Sequence, residues 1–174
     1  RQLPRRYALD VIRAALQSLL AANALARQGT IFHRPDHTAQ PTDEDLALWH
    51  QAEALLLAGG RRPPRVRELA EEMDLELGKL EAFLGRATQF GWLFKVAANR
   101  YYPPAAAVEL ARLVEQLAAE DDDGFITAAA YKDLSGIGRN VAINVLEFFN
   151  KVGFIQRIGN QHRIIRSVRE IFGD

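Results

Sequence analysis

The spacing of apolar side chains along the chain predicts helices separated by short hairpins. Helical spacing predicts helices over residues 5–27, 66–73, 76–90, 105–119, 128–134 and 139–151. A further helix is predicted to begin at a cap on Thr42 or Asp43 and to end at Gly59. Extended or hairpin segments are predicted over 30–34, 92–102 and 154–166, where β-forming residues flank turn residues. The pattern therefore predicts a mostly α-helical chain with small β-hairpins, an α+β fold.

The second half of the chain repeats itself. With a shift of 62 positions and no gap, residues 66–102 fall on residues 128–164, and Gly91 falls on Gly153. A third, partial copy precedes them and places Asn23 on Gly91, and Asn is the usual substitute for Gly at a left-handed helix end. Self-similarity at a fixed period indicates copies of one supersecondary unit. We expect the chain to open inside such a unit.

Three helices followed by a two-stranded hairpin, in about 60 residues, is the order of a winged-helix domain, whose second and third helices form a helix-turn-helix. The pattern divides the chain into a partial first unit at 1–40, a middle unit at 41–103 and a last unit at 104–174. A unit of this size buries only about 60% of its unfolded surface. Neighbouring units are therefore expected to pack together.

Composition excludes several classes of protein. The chain has 174 residues, 48% of them hydrophobic and 25% charged, and it has no cysteine. Disulfides, thiolate nucleophiles and cysteine-based zinc sites are therefore excluded. No apolar run reaches the roughly 20 residues that span a bilayer, and no secretory signal opens the chain. We expect no membrane association, a cytoplasmic protein, and, since the first residue is not Met, a fragment.

The sequence offers no catalytic, metal or cofactor site. His33 and His37 stand four apart, but Pro35 between them argues against a helical metal pair. The three serines have no nearby His and acid in a nucleophilic arrangement, and no phosphate-loop motif occurs. The fragment is therefore expected to be no enzyme, and to hold no metal and no cofactor.

Charge totals zero but is unevenly distributed. Residues 104–124 carry one Arg against six acids, whereas residues 131–169 carry seven basic side chains against Asp133 and Glu147. The acidic segment would permit contacts with other proteins or domains. The basic segment, which holds the third helix and the hairpin of the last unit, is the candidate nucleic-acid face.

The two complete copies differ on that face. The third helix of the middle unit offers a mixed set of charges, whereas that of the last unit is polar, weakly basic and rich in amides. The predicted RNA-binding residues are Arg139, Asn140, Arg157, Asn160, Gln161, His162 and Arg163, with Lys132 and Arg166 at the periphery. By composition alone, a solvated polar face explains the same residues equally well.

The turn before the third helix carries a second signal. Gly136 and Gly138 allow close backbone approach, and the first amides of the helix lack partners within it, so a phosphate can dock beside Arg139. The same glycines also fit an ordinary tight turn, or the turn of a helix-hairpin-helix. The strands after Gly153 and the ungapped repeat favour the winged helix.

Residues 136–160, ahead of a short basic tail, resemble the C-terminal end of the SelB family of bacterial selenocysteine-specific elongation factors, and so do residues 63–70. The resemblance covers nearly the whole chain and is most specific in the final 40 residues. It implies a string of winged-helix domains after a GTPase part, with the terminal domain binding the selenocysteine-insertion hairpin of messenger RNA. The GTPase part is absent from the sequence, so GTP and transfer-RNA binding are not carried over.

The resemblance implies a module that tethers a translation elongation factor to its message stem-loop, with ribosome contact through the full-length factor. We also expect the chain to be a monomer. Two other functions remain open from the residues alone. One is a winged helix that binds duplex DNA, as in transcription regulators. The other is a scaffold whose acidic middle contacts proteins.

Overall fold

The computed structural model describes residues 9–28, 31–35 and 40–173. In the first unit, helix α1 spans Leu9–Ala21, and strands β1 (Ala26–Gln28) and β2 (Ile31–His33) pair antiparallel. The prediction of one helix to residue 27 is wrong at its end. Asn23 takes a left-handed backbone (φ 52°), which ends the helix and lets the chain turn into β1. The predicted start at residues 5–8 lies outside the described residues.

The middle unit has the predicted three helices and hairpin. These are α2 (Asp43–Ala58), α3 (Val66–Glu72), α4 (Leu77–Gln89), β3 (Phe94–Ala97) and β4 (Arg100–Tyr102). Thr42 caps α2 in a reciprocal box, because its hydroxyl accepts the N–H of Asp45 at 3.1 Å and the Asp45 carboxylate accepts the N–H of Thr42 at 3.1 Å.

The last unit repeats that order with two additions. Its elements are α5 (Pro104–Glu120), β5 (Phe125–Thr127), α6 (Ala128–Ser135), α7 (Arg139–Val152), β6 (Ile155–Ile158), β7 (Gln161–Ile164) and α8 (Val168–Phe172). Strand β5 and helix α8 were not predicted from the sequence. The three strands form an antiparallel sheet in the order β5–β7–β6.

Equivalent positions of the two copies have equivalent structures. Gly91 and Gly153 both adopt left-handed backbones, with φ of 77° and 76°, at the ends of α4 and α7. Two residues later, Leu93 and Ile155 are both buried at the start of the hairpin. A side chain at Gly153 would also collide with the guanidinium of Arg166, which packs against this turn. The repeat seen in the sequence is thus a structural repeat.

The hairpin of the middle unit is part of the core of the last unit. Phe94 and Tyr102, from β3 and β4, belong to the apolar cluster that α5, α6 and α7 form. The Phe94 ring lies 5.7 Å from the ring of Phe148 and 5.6 Å from that of Phe172, measured between centroids. The two units therefore pack together through apolar contact, as their small size predicted.

Candidate nucleic-acid interface

Helix α7 presents one buried and one exposed face. Its buried face packs five side chains into the core, namely Ala142, Val145, Leu146, Phe148 and Phe149. Gly138 caps the start of the helix without a side-chain hydrogen bond, and nothing lies within 4 Å of the position that a Cβ there would take. Gly138 thus leaves open space beside the start of α7, where the first amides of a helix lack partners within it.

A groove of about 520 Å³ runs between α7 and the β6–β7 hairpin. We call it the α7–hairpin groove, and its lining residues are Ala128, Arg139, Ile143, Leu146, Glu147, Asn150, Arg157, Asn160 and His162. Four of the predicted RNA-binding residues, Arg139, Arg157, Asn160 and His162, come together there.

The strand register determines which cations face the groove. Arg157 on β6 pairs directly with His162 on β7, so their side chains lie on the same face of the sheet. Arg163 is the next residue along β7 and therefore lies on the opposite face, where it pairs with Phe125 of β5. Its guanidinium stands 5.7 Å from the centre of the Phe125 ring. The structure thus separates Arg163 from Arg157, although the sequence predicted both on one surface.

The remaining predicted residues lie outside the groove lining. Asn140 and Gln161 are exposed, at the start of α7 and at the start of β7. The Lys132 ammonium forms an ion pair with Asp133 at 2.6 Å. Arg166 is half-buried against Gly153, which gives it a packing role at the end of α7.

Hydrogen bonds hold the hairpin against α7. The side-chain oxygen of Asn150 accepts the backbone N–H of Arg157 at 3.1 Å, and the Arg157 side chain donates to the carbonyl of Gly159 at 3.0 Å. The first bond joins the hairpin backbone to α7, and the second orients the Arg157 side chain along the hairpin turn before any ligand arrives.

Five of the lining residues were not predicted as site residues from the sequence: Ala128, Ile143, Leu146, Glu147 and Asn150. Ile143 and Glu147 follow Arg139 at intervals of four, the spacing of side chains on one helix face. That spacing was the signal that could have found them.

His162 is a buried, neutral side chain of the groove wall. It is 9% exposed, and its Nδ1 is buried with no hydrogen-bond partner among the described residues. Burial lowers the pKa of His162, and the positive charge of Arg157 lowers it further, against a backbone hydrogen bond with Ile126. The imidazole is therefore uncharged at neutral pH and adds no positive charge to the groove.

The equivalent hairpin of the middle unit is covered. Tyr102 is fully buried in the core of the last unit, and Tyr101 is buried in the middle unit's own core. At 0% and 5% exposed, neither tyrosine is available to stack on a base. An open hairpin face next to a basic helix is thus a feature in which the last unit differs from the middle one.

Residues 9–28, 31–35 and 40–173 show neither a metal-binding group nor a membrane-spanning helix. In that part of the chain, no three His, Asp or Glu side chains gather in a metal-binding group, and no helix is both long and apolar enough to cross a bilayer. The ring of His33 hydrogen-bonds through Nδ1 with the carbonyl of Arg34 at 2.9 Å. His37, the other half of the histidine pair considered above, lies outside the described residues.

Two family models match the chain. The model described as the selenocysteine-specific elongation factor winged-helix domain matches residues 41–102, and the model described as elongation factor SelB, winged helix, matches residues 118–164. The prediction of winged-helix units in tandem is confirmed. Both matches lie within the predicted middle and last units, whose exact boundaries stay a prediction.

Curated relatives agree with these matches. The selenocysteine-specific elongation factor of Escherichia coli (strain K12) is 34% identical over 93% of this chain, and that of Haemophilus influenzae is 23% identical over 88% of it. The chain spans about a quarter of the length of these relatives, 26% and 24% respectively.

A solved structure is also similar. It is the mRNA-binding domain of elongation factor SelB from E. coli in complex with SECIS RNA, which matches with a TM-score of 0.64 and 35% sequence identity. The match covers 71% of this chain and 98% of that one.

Proposed function

Because this chain belongs to the SelB family of selenocysteine-specific elongation factors, we propose that its last unit binds the selenocysteine insertion hairpin of messenger RNA (SECIS RNA). The site is the α7–hairpin groove. The similar E. coli domain, solved in complex with SECIS RNA, is matched over 98% of its length. That likeness supports the kind of ligand, and the geometry of the groove supports where it binds.

The groove suits an unpaired base better than a double helix. The major groove of RNA is too deep and narrow to admit α7, so sequence must be read from bases in loops or bulges. The lining combines cationic Arg139 and Arg157, the acceptor Glu147, and the neutral His162 with the apolar Ile143. A nucleobase has an apolar face and an edge of donors and acceptors, and this lining can match both.

Phosphates would be held at the rim rather than inside. Arg139 stands at the start of α7, where amides without partners in the helix and the positive end of the helix dipole favour an anion. Glu147 inside the groove would repel a phosphate but accept a hydrogen bond from a base amino group. The observation that carries the proposal is this meeting of Arg139, Arg157, Asn160 and His162 around one concavity.

The role that follows is attachment. Binding the hairpin tethers a translation elongation factor to its message, so that selenocysteine is inserted at the marked codon. The proposal includes a monomeric chain in the cytoplasm, contact with the ribosome through the full-length factor, and no catalytic step in this segment. Asn140, Gln161, Arg163, Lys132 and Arg166 stay predicted contributors, through contacts to the RNA backbone outside the groove.

A titration of labelled SECIS RNA of the E. coli complex with the whole chain tests the proposal. If roughly four phosphates are neutralised, the logarithm of the affinity should fall with the logarithm of salt at a slope of about −3. Arg139→Ala should weaken binding about 10- to 100-fold, since a hydrogen bond to a charged group contributes about 1.5–3 kcal/mol. Its thermal midpoint should stay nearly unchanged because Arg139 is exposed.

Lys79→Ala is the matched control. Lys79 is an exposed cation in the first turns of α4, the equivalent helix of the middle unit, so its loss changes the net charge equally. Equal effects of the two substitutions would contradict the groove as the site. Preferential binding of duplex DNA in a competition titration would favour the DNA-binding alternative, and no nucleic-acid binding at all would favour the scaffold.

A further inference from the structure

Arg61 links the middle unit to the last unit. It lies in the loop after α2, and its Nε is 2.7 Å from the Glu109 carboxylate on α5. Its Nη1 donates to the backbone carbonyl of Ser135, at the end of α6, at 3.4 Å. The backbone carbonyl of Arg61 in turn accepts the hydroxyl of Tyr102 at 3.3 Å. One side chain of the middle unit therefore holds both the first helix and the helix-turn-helix of the last unit.

The hydrogen bond to Ser135 falls next to the RNA site along the chain. Ser135 is followed by the turn of Gly136, Ile137 and Gly138, and α7 begins at Arg139. Both glycines lack side chains that could brace the turn, and nothing lies within 4 Å of their missing Cβ positions. The placement of Arg139 thus depends on what anchors the residues before the turn.

Two anchors come from within the last unit. Ile137 is buried in the core, and the Ser135 hydroxyl donates to the carbonyl of Tyr131. Arg61 is an anchor from outside the unit. It satisfies a carbonyl at the end of α6, and such terminal carbonyls have no partner within their own helix.

We propose that Arg61 is a positioning residue for RNA binding, because it fixes the end of α6 and so the start of α7. Arg61 itself belongs to the middle unit, whose own hairpin is covered and has no open face. This inference rests on the proposed function. RNA affinity of the last unit then depends on the middle unit. Because coupling between sites is reciprocal, RNA binding also strengthens the attachment of the two units.

The expected effect is modest. The Arg61 and Glu109 side chains are 40% and 49% exposed, and exposed ion pairs contribute little free energy. Arg61→Ala should therefore weaken binding of the E. coli SECIS RNA about 1.4- to fivefold. Arg62→Ala is the matched control, because Arg62 is the exposed neighbour with the same charge and should have little effect.

Two measurements separate positioning from direct RNA binding. If the Arg61 side chain itself bound a phosphate, its removal would reduce the salt slope by about 0.7–0.9, whereas removal of a positioning residue leaves the slope unchanged. Glu109→Gln should also weaken binding, and the double variant Arg61→Ala/Glu109→Gln should bind no more weakly than Arg61→Ala alone. That non-additivity is expected of two residues that act through one ion pair.

Wild-type binding in the same titration keeps the two proposals apart. If the wild-type chain binds but Arg61→Ala behaves like Arg62→Ala, only the positioning role is overturned. A reduced salt slope, or strictly additive effects with Glu109→Gln, overturns it as well. If the wild-type chain does not bind the RNA, the proposed function falls, and the positioning role with it.

Discussion

Replacing Phe94 by Ala should destabilise the last unit from a position in the middle unit. The Phe94 ring is 9% exposed and packs between Phe148 of α7 and Phe172 of α8. Truncating a buried Phe to Ala costs about 3–5 kcal/mol through reduced burial and the cavity left behind. For a chain of this size, each kcal/mol lowers the thermal midpoint by about 2–4 °C, so a fall of about 6–20 °C is expected.

The assay uses two probes that report on different parts of the chain. Both tryptophans, Trp49 and Trp92, lie in the middle unit, so their fluorescence follows that unit, whereas far-ultraviolet circular dichroism follows all helices. Because Phe94 and Tyr102 sit in the core of the last unit, the two probes should show one coincident transition in the wild-type chain.

Leu57→Ala is the control for the Phe94 substitution. Leu57 is an apolar residue of the middle unit that is 48% exposed, so its truncation should lower the midpoint only slightly. The reasoning is refuted if Phe94→Ala costs no more than Leu57→Ala. Two well-separated transitions in the wild-type chain would equally refute the shared core.

Three further predictions concern the groove wall and the ion pair of a buried carboxylate with a half-exposed arginine. Asn150→Ala removes the acceptor of the Arg157 N–H. RNA binding should weaken about 2- to 12-fold, which corresponds to the free energy that one hydrogen bond contributes. An unchanged affinity would show that the hairpin needs no such anchor. Because burial lowers the pKa of His162, the unfolded chain takes up a proton on this residue at a higher pH than the folded chain does. The urea concentration at the unfolding midpoint should therefore be highest above about pH 6.5 and should fall as the pH drops below that value. His162→Gln should flatten this pH dependence. Arg86→Ala strands the buried Asp45 carboxylate, whose pKa is lowered mainly by the Arg86 hydrogen bond, and should cost about 1–3 kcal/mol in urea unfolding. That cost should be present above about pH 3.8 and shrink as the pH falls below it.

The repeated elements were predictable because their cores are local and periodic. Helical spacing located α4 and α7, and the glycines at 91 and 153 located the starts of their hairpins. Glycine suits these two positions because the backbone there is left-handed. Strand β5 was missed because three residues carry no periodic signal, and they form a strand only by pairing with β7. Helix α8 did have a signal in the sequence, the capping box of Ser167 and Glu170.

The residue types of the site could be predicted, but their arrangement only in part. The two-residue turn after Ile158 pairs Arg157 with His162, and alternation then places Arg163 on the other face, so this separation could have been derived from the turn alone. The placement of Arg166 against Gly153 depends on contacts between distant segments. No local pattern in the sequence specifies such contacts.

The α7–hairpin groove is tested most directly by comparing Arg157→Ala with Arg163→Ala in the SECIS RNA titration. Both residues are exposed arginines of one hairpin and carry the same charge, but they lie on opposite faces of the sheet. Arg157→Ala should weaken binding about 10- to 100-fold, and Arg163→Ala about threefold or less, because only the first removes a charged donor from the groove. Equal losses of affinity, or a larger loss for Arg163→Ala, would contradict the account.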